Sequence, residues 1–316
     1  MERELLFLKP VCTHNIWGGT RLRTDFGYEV EGDDIGECWG ISAHPNGDGE
    51  IRDGRLAGRK LSEVWEEYPE LFGRLKYDRF PLLTKIIDAR DDLSIQVHPD
   101  DAYAAEHENG SFGKTECWYV LDCPKDATLV IGHQAKDREE LETMIREGRW
   151  NEFIREIPVS KGDFLQIDPG TVHAIKGGML ILETQQNSDI TYRVYDYDRL
   201  SNGKPRELHV RQSIDVITVP AASPEQSVKK TGDVEPNRLQ SLHSCEYYEV
   251  FKLVVQGKAQ VVQCYPFLNL SVVEGRGQID GRSLKKGDHL IVPNRYGSIE
   301  LEGTMEIIAS TVPVMV

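Results

Sequence analysis

Short apolar stretches that alternate with polar residues, separated by clusters of Gly, Pro, Asn and Asp, dominate this chain and predict a mainly β fold. Up to Gly58 the pieces are short and extended, such as Glu37–Ala43, and turn clusters such as Asn46–Gly47–Asp48–Gly49 divide them. Apolar residues at Leu61, Val64, Trp65, Leu71, Phe72 and Leu75 fit an amphipathic helix that breaks near Pro69. Pro81–Asp88 is an apolar run, as expected of a buried strand, and Lys85 is its anomaly. Pro99 closes the strand before it, and Asp100–Glu108 predicts a short surface helix. A second helical pattern covers Asp137–Ile157, with Leu141, Met144, Ile145, Trp150, Phe153 and Ile154 apolar and Gly148 dividing it into two helices.

From Val159 the pattern returns to strands. Val159–Ile175 reads as strand, Gly-Asp turn, strand, Pro-Gly turn, strand, and Met179–Gln185 and Thr191–Tyr197 are further strands. Residues Ala221–Asn237 are polar, rich in Pro, Ser and Lys and without period, which predicts a linker or long connection. A second all-β block follows, in which Ser283–Leu301 weakly echoes Val159–Ile175. Gly297 and Ser298 stand about where the first phrase has His173, and His289 falls elsewhere. We therefore expect two related β-barrels, of which only the first keeps metal chemistry. The first covers residues 1–235, with a small helical insertion at about 137–157, and a degenerate second unit covers 236–316.

Composition narrows the function. A formal charge of −15 and a pI near 5.1 over 316 residues argue against a nucleic-acid or anionic-membrane surface, so an anionic substrate must be met by local cations. No apolar run approaches the roughly 18–20 residues of a membrane-spanning helix, and the apolar patch near the start is too short for a signal segment, which leads us to expect a cytoplasmic protein. The six cysteines contain no C-x-x-C pair, so we expect buried free thiols rather than disulfides or a thiolate zinc site. No P-loop or dinucleotide fingerprint has the strand-to-helix context that would support it.

The chemistry concentrates in Leu93–Tyr119. Residues two apart on a strand share a face, so Gln96 pairs with His98 and Lys114 pairs with Glu116. Two antiparallel strands would join an amide oxygen, an imidazole and a carboxylate, one ligand short of a metal site. His173, set just after a Pro-Gly turn, supplies the fourth, giving two nitrogens and two oxygens from Gln96, His98, Glu116 and His173. A lone histidine is usually structural. Here strand parity, spacing and the turn coincide. The set suits a divalent first-row ion, with zinc favoured among iron, manganese and cobalt, and it would leave a net charge of +1 facing an oxygen that gains negative charge.

The segments SIQVHPDD, GKTECWYVL, PGTVHAI and QQNSDITYRVYDYDR resemble the class I phosphomannose isomerases, zinc-dependent mannose-6-phosphate isomerases of the cupin superfamily. IWGGTRL (Ile16–Leu22) and GECWGISAHPNGDG (Gly36–Gly49) are similar to the family's N-terminal half. The resemblance covers roughly residues 7–215, extends loosely into the C-terminal barrel, and fits the short bacterial form. It implies two jelly-roll cupin barrels, one Zn2+ per chain at Gln96, His98, Glu116 and His173, and a catalytic arginine at Arg193. It also implies a small sugar-phosphate substrate, with a monomer or homodimer as the assembly.

On its strand Arg193 shares a face with Thr191 and Tyr195; an inward arginine there needs an anion, either a substrate or a carboxylate such as Asp189 or Asp196. Lys85 and Lys114 are candidates for the sugar phosphate's charge, with Lys204 or Arg206 in the later loop as helpers, and Lys114 is also a catalytic candidate that supplements the metal beside Arg193 as charge develops. Interconverting aldose and ketose through an enediol needs an electrophile, a base and an anchor. Glu183 is the first choice for the base, and a metal-bound water is the alternative. Two other readings stay open: another metal-dependent cupin enzyme, such as an iron dioxygenase or a different sugar-phosphate isomerase, and a sugar-binding cupin without turnover. We expect the C-terminal barrel to pack on the first and form one wall of its site.

Overall fold

Leu82–Asp88 is buried along its whole length, which explains why its sequence does not alternate. In the computed structural model, which describes residues 4–232 and 234–313, this strand lies inside a seven-stranded sheet. The ends of the two expected units, residues 1–3 and 314–316, and residue 233 of the expected linker lie outside the described residues. The order across the sheet is Val228–Lys229, Phe164–Ile167, Glu116–Asp122, Leu180–Gln186, Leu82–Asp88, Ile35–Ile41 and Val11–Gly19. A five-stranded sheet faces it, ordered Tyr192–Tyr195, Ile95–Val97, His173–Ala174, Thr128–His133 and Ile154–Pro158. Trp118, Val120, Ile181 and Leu165 of the first sheet meet Leu129, Ile131 and Ile157 of the second in one core.

Arg138–Arg146, Trp150–Phe153 and Val210–Val216 pack on the outside of the five-stranded sheet. Asp101–His107 and Arg138–Arg146 each begin at an aspartate whose carboxylate accepts a backbone N–H of the first turn, Asp100 from Tyr103 and Asp137 from Glu140. Leu61–Glu67 stops before Pro69, and the 3-10 turn Pro69–Phe72 ends at Gly73, whose φ of 71° is the left-handed conformation that glycine adopts freely. Trp65, Phe72, Phe80 and Phe267 form a chain of ring contacts that ties this helical corner to the C-terminal sheet.

That eight-stranded sheet contains the long strands Glu249–Gln263, Phe267–Ile279 and Gly297–Thr311. Its inner face closes over Phe251, Leu253, Leu268, Leu290 and Ile307. Two of its strands come from the other end of the chain: Leu6–Lys9 pairs with His289–Pro293 and with Glu50–Ile51. Residues before position 235 therefore complete this sheet.

The mainly β fold with few short helices is as expected, and three local expectations are corrected. The strands carrying Gln96 and Glu116 are not neighbours; they belong to different sheets, because the helix Asp101–His107 carries the chain from one sheet to the other. The helical insertion ends at Phe153, and Ile154–Pro158 is a strand, where Ile157 pairs with Leu129 and Arg155 Nε donates to Ile131 O. Nor is Ala221–Asn237 a featureless linker. It holds the helical turn Pro224–Ser227, and Val228–Lys229 pairs with Phe164 and Leu165 to finish the seven-stranded sheet.

Gly40 sits where that sheet meets the C-terminal one. A Cβ at Gly40 would lie 2.3–2.5 Å from the His289 ring. This imidazole is fixed between Tyr28 Oη at 2.9 Å and Ser271 Oγ at 2.8 Å, and burial lowers its pKa to about 4, so it stays neutral. Gly40→Ala is expected to cost about 1–3 kcal/mol through overpacking. Urea unfolding checks this, and an unchanged midpoint would show that the two sheets separate without strain.

Candidate metal centre and its cavity

Four of the predicted groups converge between the two sheets. In the five-stranded sheet His173 lies directly opposite Gln96, and Gln96 directly opposite Arg193. In the seven-stranded sheet Glu116 is set between Ile167 and Gln185. Ligand atoms of His98, Glu116 and His173 all lie within 4.8 Å of one another, and all three residues are buried. His98 Nε2 is 3.4 Å from Glu116 Oε2, and His173 Nε2 is 3.4 Å from Glu116 Oε1. The Gln96 amide nitrogen lies 3.2 Å from His173 Nε2, so turning the amide over presents its oxygen to the same point.

Backbone carbonyls aim both imidazoles. His98 Nδ1 is 2.8 Å from Ile190 O, and His173 Nδ1 is 2.8 Å from Thr171 O. A carbonyl only accepts, so Nδ1 carries the proton in each ring and the two Nε2 lone pairs face each other across 3.2 Å. Burial, with Lys114 nearby, lowers His98 to about 3, and burial lowers His173 as well; both rings are neutral ligands at pH 7. Burial alone would raise Glu116, but Lys114 and His98 outweigh it and hold the carboxyl well below the usual range.

A cation fits among these atoms. The Lys114 ammonium donates to Glu116 Oε2 and lies 3.1 Å from His98 Nε2, so two of the donors already meet positive charge. Glu116 Oε1 is buried without a hydrogen bond. Two neutral imidazoles, one carboxylate and an amide form a donor set for a divalent first-row ion.

Beside this cluster the inward face of the seven-stranded sheet carries a row that strand register creates: Trp39 faces Lys85, Lys85 faces Glu183, and Glu183 faces Trp118. Lys85 Nζ lies 3.4 Å from Glu183 Oε1 and 3.8 Å from Glu37 Oε1, and Lys114 Nζ is 4.0 Å from Glu183 Oε1. Burial raises the Glu183 pKa, and the neighbouring Glu116 adds to the effect against the two lysines. Burial opposes the charge on Lys85, but Glu37 and Glu183 more than offset that and raise its pKa.

Arg193 points to the same cavity from the facing sheet. Its Nη1 donates to Glu207 O at 2.9 Å and its Nε has no hydrogen-bond partner. Neither candidate carboxylate pairs with it. Asp189 accepts from Asn46, and Asp196 is bound by Arg199 at 2.6 Å and by Arg206 Nε at 2.7 Å. Arg206 reaches the cavity, whereas Lys204 is exposed on a short hairpin. Gln96, Lys85, Lys114, Glu183, Arg193 and Arg206 thus line one space together with Asn15, Trp17, Glu37 and Thr191. All of the lining residues precede position 207, so the C-terminal sheet forms no wall of it. A larger, more open depression between Lys258 and Glu302, about 510 Å³, holds none of these groups.

A model of the phosphomannose isomerase type I catalytic domain matches residues 5–126, and a model of the mannose-6-phosphate isomerase cupin domain matches residues 238–312. Mannose-6-phosphate isomerase ManA of Bacillus subtilis (strain 168) is 51% identical over 98% of this chain and 99% of its own length. The chain belongs to the type I phosphomannose isomerase family. A mannose-6-phosphate isomerase of Streptococcus mutans is 47% identical over 97% of this chain and 98% of its own. The crystal structure of the Bacillus subtilis mannose 6-phosphate isomerase superposes with a TM-score of 0.92 at 44% identity, covering 98% of this chain and 100% of that one.

Sequence reading missed Asn15, Trp17 and Glu37 in this family member's cavity and Trp118 behind it. Glu37 lies in a segment whose extended character was clear, but only register places it against Lys85. Trp118 stands two residues beyond Glu116, on the same face, and that parity was the available signal. For the donor set we predict that a divalent first-row ion at about a hundred times its Kd stabilises the protein by about 2.7 kcal/mol. His173→Ala is expected to abolish that gain, as read by thermal unfolding with and without the ion; an equal gain in the variant would remove His173 from the site.

Proposed function

We propose that this chain interconverts mannose 6-phosphate and fructose 6-phosphate at a zinc ion held by Gln96, His98, Glu116 and His173. The observation that carries the reading is the His98, Glu116 and His173 donor cluster standing beside one cavity whose lining brings together Gln96, a buried carboxylate flanked by two lysines, and two arginines. Membership of a family whose relatives bear the name mannose-6-phosphate isomerase supports it. Bound zinc supplies a Lewis acid toward the substrate's carbonyl and hydroxyl oxygens.

The residues divide the remaining work. Glu183 takes the proton from one substrate carbon and returns it to the next, a task suited to a carboxyl whose pKa burial has raised. Lys85 and Lys114 hold the charge of that carboxylate and of the enediol oxygens. Arg193, directly across from Gln96, meets charge that develops beside the donors, and Arg206, fixed by Asp196, meets the phosphate. Burial raises Asp196, but hydrogen bonds from Arg206 and Arg199 outweigh it, so the anchor stays ionised.

We further propose a division into a catalytic unit, residues 1–235, and a supporting unit, residues 236–316, the latter taking Leu6–Lys9 and Glu50–Ile51 into its sheet. A cytoplasmic setting accords with the six free cysteines and, among the described residues, with no helix long and apolar enough to cross a membrane.

The test is the rate of fructose 6-phosphate formation from mannose 6-phosphate before chelation, after it, and after zinc is restored. The rate is expected to fall to background and return; a folded, metal-loaded enzyme without turnover would refute the reading. Arg193→Ala is expected to keep its metal and lose about a hundredfold to a thousandfold in kcat, and a near-native kcat would leave Arg193 without a part in the chemistry.

A further inference from the structure

Glu183 has two oxygens with different surroundings. Oε2 accepts a hydrogen bond from the indole N–H of Trp118 at 3.0 Å. Among the described residues Oε1 makes no hydrogen bond, and it lies between the Lys85 and Lys114 ammonium groups, at 3.4 and 4.0 Å. A carboxylate between two ammoniums and without a third contact can rotate to give each lysine one oxygen, leaving neither lone pair to a substrate. The indole prevents this by holding one oxygen at the back of the cavity. Trp118 is itself fully buried and lies outside the residues that line the cavity, so it touches no substrate.

Register makes the contact inescapable. Trp118 and Glu183 are directly opposite on adjacent strands, where paired side chains point to the same face. The ring also stands edge-on to His173, with centroids 5.5 Å apart and planes at 75°. The same arrangement recurs at the other end of the row, where Trp39 donates its indole N–H to Glu37 Oε2 at 2.8 Å while Lys85 Nζ sits 4.9 Å from its ring. An N–H aimed at an ionisable oxygen is what packing alone does not require of the ring at position 118.

We propose that Trp118 is a positioning residue for the isomerisation, its indole N–H anchoring Glu183 Oε2 so that Oε1 alone faces the reacting carbons. This rests on the assignment of Glu183 as the base. The C2–H bond then breaks toward Oε1, its electron pair forming the C1–C2 double bond of the enediol as O1 takes up a proton. The same carbon-derived proton is then delivered from Oε1 to C1 as O2 gives up its proton and C2=O forms, so that O1 gains the hydroxyl proton that O2 loses.

The experiment replaces Trp118 in the zinc-loaded enzyme with β-(3-benzothienyl)alanine, which has sulfur in place of N–H and keeps the ring's shape, with Trp118→Phe as a second variant and Glu183→Gln in parallel. Measurements are kcat and KM for mannose 6-phosphate, the isotope effect with substrate deuterated at C2, and metal content. We expect kcat to fall about tenfold to a hundredfold in both Trp118 variants, the isotope effect to rise, and KM and zinc content to stay within about twofold. A native kcat in the benzothienyl variant, or a loss that follows zinc content or KM, overturns the role of Trp118. Glu183→Gln separates the two levels: if it is inactive while the benzothienyl variant is native, only the positioning role falls, and if it is itself native, the base assignment falls and the positioning role with it.

Discussion

Four buried charges and one half-buried one, on and beside one sheet face, govern this structure. Glu37, Lys85, Glu183, Lys114 and Glu116 alternate in sign along a path of ion pairs. Any one of them alone would cost several kcal/mol to remove from water, and each is tolerable only because its neighbours are present. Three carboxylates face two ammoniums, and Glu116, at the end of the row, accepts from Lys114 while standing among the two imidazoles. Glu116 thus belongs both to the ion-pair row and to the candidate metal donors. The row also explains why these side chains share a narrow space rather than spread across the barrel.

Such a row needs a rigid backing, and the other face of the same sheet supplies it. Cys38, Ile86, Leu182, Cys117 and Phe164 turn away from the cavity into a core shared with Tyr248, Val250, Phe267, Ile291 and Ile308 of the C-terminal sheet. Polar links cross the same boundary, from Tyr248 Oη to Gln166 and from Tyr119 Oη to Glu306. The C-terminal unit thus acts on the site from behind, by fixing the strands whose opposite side chains carry the charge.

Much of this was legible in the chain. The two-residue parity of Gln96 with His98, the Pro-Gly turn before His173 and the proline and glycine that interrupt the helical patterns are local signals, and they placed the donors and most of the elements. Pairing between distant strands was not legible. Glu116 and Gln96 meet across a barrel, Glu37 meets Lys85 only through register, and Trp118 was hidden among apolar neighbours. The strand Ile154–Pro158 looked helical because its apolar residues continued the period of the helix before it, and tertiary pairing with Thr128–His133 overrode that pattern. Val228–Lys229 carries little apolar signal because it joins the edge of its sheet through main-chain bonds.

The two imidazoles are aimed by main-chain oxygens of Ile190 and Thr171, and this affects how the site can be inherited. A carbonyl is present whatever the side chain at its position, so point mutation at either residue leaves the acceptor in place. Insertions and deletions are what move it. The orientation of the two imidazoles is thus written in the path of two loops, and the side chains at positions 171 and 190 can change while that path holds.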